Sequence, residues 1–412
     1  MKKVGSLLAV LCLFTATSAS HAETAYTDAT AFNTAVAAHG LNFVVSLDSQ
    51  DAGSDADAYG MLTMSADGLQ SDGSTHNAVQ PVATNAYSAT SSPNSMGGSN
   101  SRNQFLAGNG DKIVFNLSYP VNAFGVRLIG NPSPTGDPAI PFWRMHANTG
   151  SGFDAYSAVE PLQTLSMGND VYFLGIVSEE SFNQVELYSD NDLAAVFSFN
   201  VDDMAVAADV NTLSLAQVKS SGSQAVVVSG IVVTRIHSDR FNVEANNRAN
   251  GLAVLGNGAT RGKEVSLFGE VQTTPDGERV LNLIHLINEQ EPTTGIPAPL
   301  GMGGRAVGGG ATECLQIGCD GSAGPNNIGL DVVIWGKITG IAPDYTWMTV
   351  DDGSDRENGT IYHGVMVSGD ILAQDRHVGD HVRVQGSASL LLSGENHYPL
   401  VRVAQSSDVT GL

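Results

Sequence analysis

A cassette that occurs twice in the second half of the chain constrains its fold more than any other feature. The first copy has Val226–Gly230 (VVVSG), then Phe241-Asn242-Val243, then the run Arg261–Gly269. The second has Val332–Gly336 (VVIWG), then Trp347–Val350, then Val378–Gly386. Each copy offers a strand ending in Gly, a strand with an aromatic residue, a turn with Gly, and an alternating strand closed by a second Gly. The closing segment keeps one spacing, Gly262 to Gly269 and Gly379 to Gly386, and another apolar strand follows it (Val280–Ile287; Tyr398–Val403). That is the grammar of a small closed barrel, present twice.

The first residues carry an export pattern. Lys2 and Lys3 form a basic start, Leu7–Phe14 a short apolar core and Ser20-His21-Ala22 a small-x-small cleavage site. This predicts a signal peptide over 1–22, with Cys12 discarded and a mature chain starting near Glu23. No later apolar stretch has the length of a membrane span. The expected location is therefore secreted: extracellular, periplasmic or at the cell surface. Cys314 and Cys319 then remain, close together in a Gly-rich loop and in a compartment that permits a disulfide. Half of a metal site is the other reading, with no second Cys pair to complete it.

The net charge is −23, with 42 acidic and 19 basic side chains. Phosphate contacts dominate nucleic-acid affinity, so this balance disfavours nucleic acid as partner. Between the cleavage site and Ala208 the only lysines and arginines are Arg102, Lys112, Arg127 and Arg144. Either the acidity serves solubility, or it marks a surface that takes a cation such as calcium.

Period-two alternation broken by Gly, Asn, Asp and Ser predicts an all-β chain. One helix is expected early, capped by Asp28 with Phe32, Ala35 and Val36 on one face. Strands are expected at 42–47, 112–117, 123–129, 171–177, 184–188 and 196–201. They imply a jelly-roll-like sandwich over 23–207. The first barrel follows at 208–290, a Pro/Gly-rich connector at 291–327 and the second barrel at 328–412. Five short strands per unit fit an OB-type barrel better than an immunoglobulin sandwich.

Two resemblances follow from particular stretches. The connector Pro299–Gly310 with Gly324–Leu330, placed before a barrel cassette, resembles the tandem OB-fold repeats of bacterial extracellular proteins. The first half resembles exported β-sandwich domains of PEP-CTERM-type proteins. The matching stretches are Asn103–Leu106 with Gly110–Phe115, Val121–Val126, Tyr172–Ile176 with Phe182–Val185, and Phe199–Met204. The sorting signal of that group is absent here. Both resemblances imply architecture and neither implies one ligand.

Several constellations carry chemistry as candidates. Asp48, Asp51 and Asp55 lie in a carboxylate-dense loop able to offer oxygens to calcium, although the spacing is not that of an EF-hand. Asp202 and Asp203 end the last strand of the sandwich, and alternation turns one of them inward, where it must be paired, protonated or metal-bound. Asp351–Asp355 reads first as a turn, with a cation as the lesser alternative. Trp143, in a Pro-rich stretch, is a stacking residue if exposed and a core anchor if not. Trp335 and Trp347 lie on adjacent strands of the second barrel and form a stacking platform if both face outward. Gly301–Gly310 follows prolines and precedes a loop, so it lacks the strand and helix of a phosphate loop.

No His-Glu-x-x-His, Gly-x-Ser-x-Gly or Cys–His pattern is present, and the histidines are scattered. The expectation is a non-catalytic binding or adhesion protein for a glycan or another cell-envelope component. A purely structural surface component and nucleic-acid binding through the barrels are the alternatives.

Overall fold

The computed structural model describes residues 23–47, 58–67, 79–83, 94–98, 105–107, 112–130, 143–158, 160–165, 168–189, 197–310, 315–369 and 376–412. The chain is all-β, with two short α-helices, Ala29–Ala38 and Leu215–Ser220, among the described residues. Asp28 caps the first, its Oδ1 accepting from the Ala31 amide, and Phe32 and Val36 are the buried residues. Phe32 fits over a notch between two strands. Gly125 and Gly175 are cross-strand partners, and a Cβ on either would sit about 3 Å from the Phe32 ring. The second helix was not expected from the sequence. Ser214 and Gln217 cap each other there in a reciprocal capping box.

Among the described residues the first half forms one 13-stranded sheet that folds over its own core. Segments expected as separate strands, 112–117 and 123–129, are the two arms of one strand, Lys112–Gly130. Nine residues of straight strand would separate Phe115 from Phe124 by about 30 Å. Their ring centroids are 4.9 Å apart, so the strand must turn a sharp corner, near Pro120. The strand Asp170–Ser189 follows it round the corner, its register shifting between Val177 and Gln184. Both arms then contribute to one buried cluster that includes Phe115, Phe124, Trp143 and Phe199.

The second half holds two five-stranded barrels of identical connectivity. In the first, Ala225–Ile236, Arg240–Ala245, Gly251–Leu255, Glu264–Thr273 and Arg279–Gln290 close in the order 1-2-3-5-4-1, strands three and five being parallel. In the second, Asp331–Ile341, Trp347–Asp351, Val365–Ser368, His381–Ser393 and Asn396–Arg402 repeat that order. Register is shared as well: Val226 faces Gly269 where Val332 faces Gly386. The turn before strand four is the same device in both. Gly262 and Gly379 take positive φ (88° and 106°) and donate to the carbonyls of Val233 and Ile338. Only glycine adopts such a conformation without strain, hence the repeated Gly.

The barrels are packed together. Gly251 and Gly329 bring two backbones into contact, a Cβ on either falling 2.5 Å from the other's main chain. The connector is ordered where described. Lys219 donates to the Ile328 carbonyl at 2.6 Å, and the Asn327 side chain ties Ala306 to Gly308. Leu300–Gly301 of the connector adds a short parallel strand to Asp331–Ile341. No helix among the described residues is long and apolar enough to cross a membrane.

Candidate functional site

The groove beside Trp335 is the candidate site. Its position follows from strand parity. In Asp331–Ile341, Val332 and Ile334 point into the barrel core and Trp335 points out, 44 % exposed. The equivalent stretch of the first barrel differs in one respect. Its ladder jumps from Val228–Leu267 to Ile231–Val265, so Ser229 and Gly230 form a bulge, with Gly230 at φ 67°. The second barrel keeps a regular ladder through Trp335–Arg383 and Lys337–His381. An aromatic at this place therefore stands squarely on the outer face.

The groove has a volume of about 760 Å3 and runs between Trp335, Lys337, His381, Asp351, Asp352 and the Gly301–Gly303 segment. Gly301 makes room for the indole, since a Cβ there would meet the ring at 2.8 Å. Beside the Gly301–Gly303 segment the groove is lined by a turn pinned by its own carboxylates. Asp352 accepts from the amides of Gly304 (2.8 Å) and Ser354 (3.1 Å), and Asp351 from that of Asp355 (3.1 Å). Hydrogen bonds of this kind favour the charged form, and the Asp352 carboxyl is held below its ordinary value despite partial burial. A flat aromatic face, an ammonium and two fixed carboxylates thus line one open groove.

The other candidates fare differently. Trp143 is 1 % exposed and packs edge-on against Phe199 at 4.4 Å, so it anchors the core and offers no ring face to a ligand. Trp347 is half-buried beside Tyr362. It lies at the far end of the hairpin from Trp335, opposite Ala342, seven residues or about 23 Å of strand away. The two indoles therefore do not form a joint platform.

Asp202 and Asp203 build a β-bulge, with the register shifting between Asp202 and Ala205. Asp202 is buried and accepts from the Asp203 amide, while Asp203 takes φ 47° and pairs with Arg127 at 2.6 Å. The cation beside Asp203 is thus a guanidinium. Among the described residues no three His, Cys, Asp or Glu side chains converge as a metal site would require. Asp48, Asp51 and Asp55 lie outside the described residues, as does Cys314. Cys319 is a buried free thiol packed against Gly308, its pKa pushed up to about 12 by burial.

A buried polar cluster between the barrels was not anticipated. Arg235, 2 % exposed, lies between Asp331 (2.9 Å) and Asp408 (2.7 Å). Glu244 accepts from the Asp331 amide, and Glu278 meets Arg240 at 3.3 Å and Ser389 at 2.9 Å. Burial raises the Asp331 and Glu278 carboxyls and pushes Glu244 up to about 7. The cluster is closed by protein partners and reads as a joint. No sequence signal pointed to it, because Arg235 and Asp408 are 173 positions apart.

Comparison with known proteins finds no matching family model and no matching curated protein.

Proposed function

We propose that this chain is an exported, non-catalytic binding protein whose second barrel holds a glycan or another component of the cell envelope. The observation that carries this reading is the exposed indole of Trp335 in a groove with polar walls. Sugar rings combine an apolar C–H face with a rim of hydroxyls, and an aromatic face flanked by hydrogen-bonding groups complements both. The OB-type reading of the barrels fits such a site on fold analogy alone. The acidic turn in the groove and the net charge of −23 work against nucleic acid.

The test is retention of the mature protein on a panel of polysaccharides and envelope fractions, with calcium and with a chelator. Retention on one glycan, lost in Trp335→Ala, is the expected result. Retention that survives Trp335→Ala moves the site elsewhere. A purely structural role is the second reading, favoured by the buried ionic joint that makes the two barrels one unit. No retention on any surface would leave that reading ahead.

A further inference from the structure

We infer, resting on the glycan reading above, that the Trp335 groove takes an acidic sugar, a hexuronate whose ring lies on the indole and whose carboxylate meets Lys337. The chain is poor in cations, and the fold uses them internally. Among the described residues the other lysines and arginines each have an ion pair or a hydrogen bond within the protein. Lys337 has neither, although the chain carries 42 carboxylates to 19 lysines and arginines. Its own cross-strand neighbour Asp351 is turned to the Asp355 amide instead of to Lys337. An exposed ammonium thus stands two residues from Trp335 on the same face of the strand, about 7 Å along it. His381 lies directly opposite Lys337 on the next strand.

Lys337 stands between its cross-strand neighbours Asp351 and His381, with Asp352 next along the turn, so the groove offers a cation and hydrogen-bond acceptors side by side, as a hexuronate offers an anion and hydroxyl groups side by side. Its carboxylate suits Lys337. Its vicinal hydroxyls suit Asp351 and Asp352, since a carboxylate has about four acceptor sites and the turn amides occupy only some of them. A neutral sugar would leave Lys337 unused. The net negative charge repels an acidic polymer at long range, but physiological salt screens beyond about 8 Å, and a direct ammonium–carboxylate contact lies inside that distance.

The experiment is calorimetric titration of the full chain with three probes of equal length: oligogalacturonate, neutral galacto-oligosaccharide and glucosamine oligomer. The expected result is oligogalacturonate bound about tenfold or more tightly than the neutral probe, in line with a hydrogen bond to a charged group. Lys337→Gln should abolish that ratio, and Trp335→Ala should weaken binding of both probes. Lys337 is exposed, so its variant keeps the fold, which a thermal melt checks. Equal affinity for acidic and neutral probes, indifferent to Lys337→Gln, overturns the inference while the glycan reading stands. Preference for the glucosamine oligomer, lost in Asp351→Asn or Asp352→Asn, also overturns it. Binding of no probe overturns it and leaves the glycan reading to the retention panel above.

Discussion

The repeated barrel receives its neighbour on the same pair of strands twice, and fills the two junctions with opposite chemistry. In the first barrel, Val227 and Phe268 face each other on strands one and four and join the core of the sandwich. Tyr119 meets the Phe268 ring edge-on at 5.0 Å. In the second barrel the equivalent pair is Val333 and Gln385. Gln385 donates to Asp331 at 2.8 Å, and Asp331 in turn holds Arg235 of the first barrel. One backbone frame therefore supports an apolar joint and an ionic one. The apolar joint needs only shape and area. The ionic joint is held only while every partner is present, because each charge has been taken out of water.

The sharpest way to break this contrast is Arg235→Ala. It strands Asp331 and Asp408 in a buried site and should cost about 3–5 kcal/mol, read by urea denaturation. A loss under about 1 kcal/mol would mean that backbone contacts at Gly251 and Gly329 hold this junction.

Phe268→Ala should cost about 3 kcal/mol by emptying a fully buried ring site. That loss should be the same at low and high salt and at pH 5 and pH 8. A salt-dependent loss would sink the assignment of this junction as apolar.

Titration sharpens the comparison further. Glu244 at the ionic joint has its pKa pushed up from 4.5 to about 7 by burial. Between those values the folded chain holds a proton that the unfolded chain has released. The Glu244 contribution to stability should therefore fall as pH rises through that window, by up to about 3 kcal/mol. It is read as the difference between the wild type and Glu244→Gln, because His237 and His285 act in the opposite direction over part of the same range. Glu244→Gln should flatten this limb. His237 and His285 are pushed down from 6.5 to about 4 by burial. Between those values the unfolded chain binds protons that the folded one does not, so stability should fall as pH drops from 6.5 through 4. Denaturation midpoints across pH 4 to 8 check both limbs.

The smallest effect lies outside both junctions. Asp28→Ala removes a helix cap and should cost about 1 kcal/mol. It should leave the pH profile unchanged, which calibrates the changes above.

Much of this was legible in the chain, and what was missed has specific causes. The Asp28 helix was readable because its cap and its apolar stripe are local. The second helix was missed although Ser214 and Gln217 spell a capping box, since the β alternation around them dominated. The strands expected at 112–117 and 123–129 are one, because a long strand can bend where a partner bends with it. Trp335 was visible as a candidate, but its outward direction was not. The first copy inserts a bulge where the second does not, and nothing in VVVSG against VVIWG announces which ladder shifts. Trp143 read equally as a surface or core residue, and only its contact with Phe199 separates the two.

By itself the sequence determined what depends on neighbours along the chain: all-β character, the twice-used cassette, its turn glycines and the first helix. Those properties follow from side-chain alternation and from φ preferences that act over a few residues. Only the tertiary structure decided which charges are buried, which indole is exposed and how the barrels join. Such outcomes depend on residues far apart in sequence, as Arg235 is from Asp331 and Asp408, 96 and 173 positions away. A charge in the interior is tolerable only beside its counter-charge, and the fold alone brings those partners within reach.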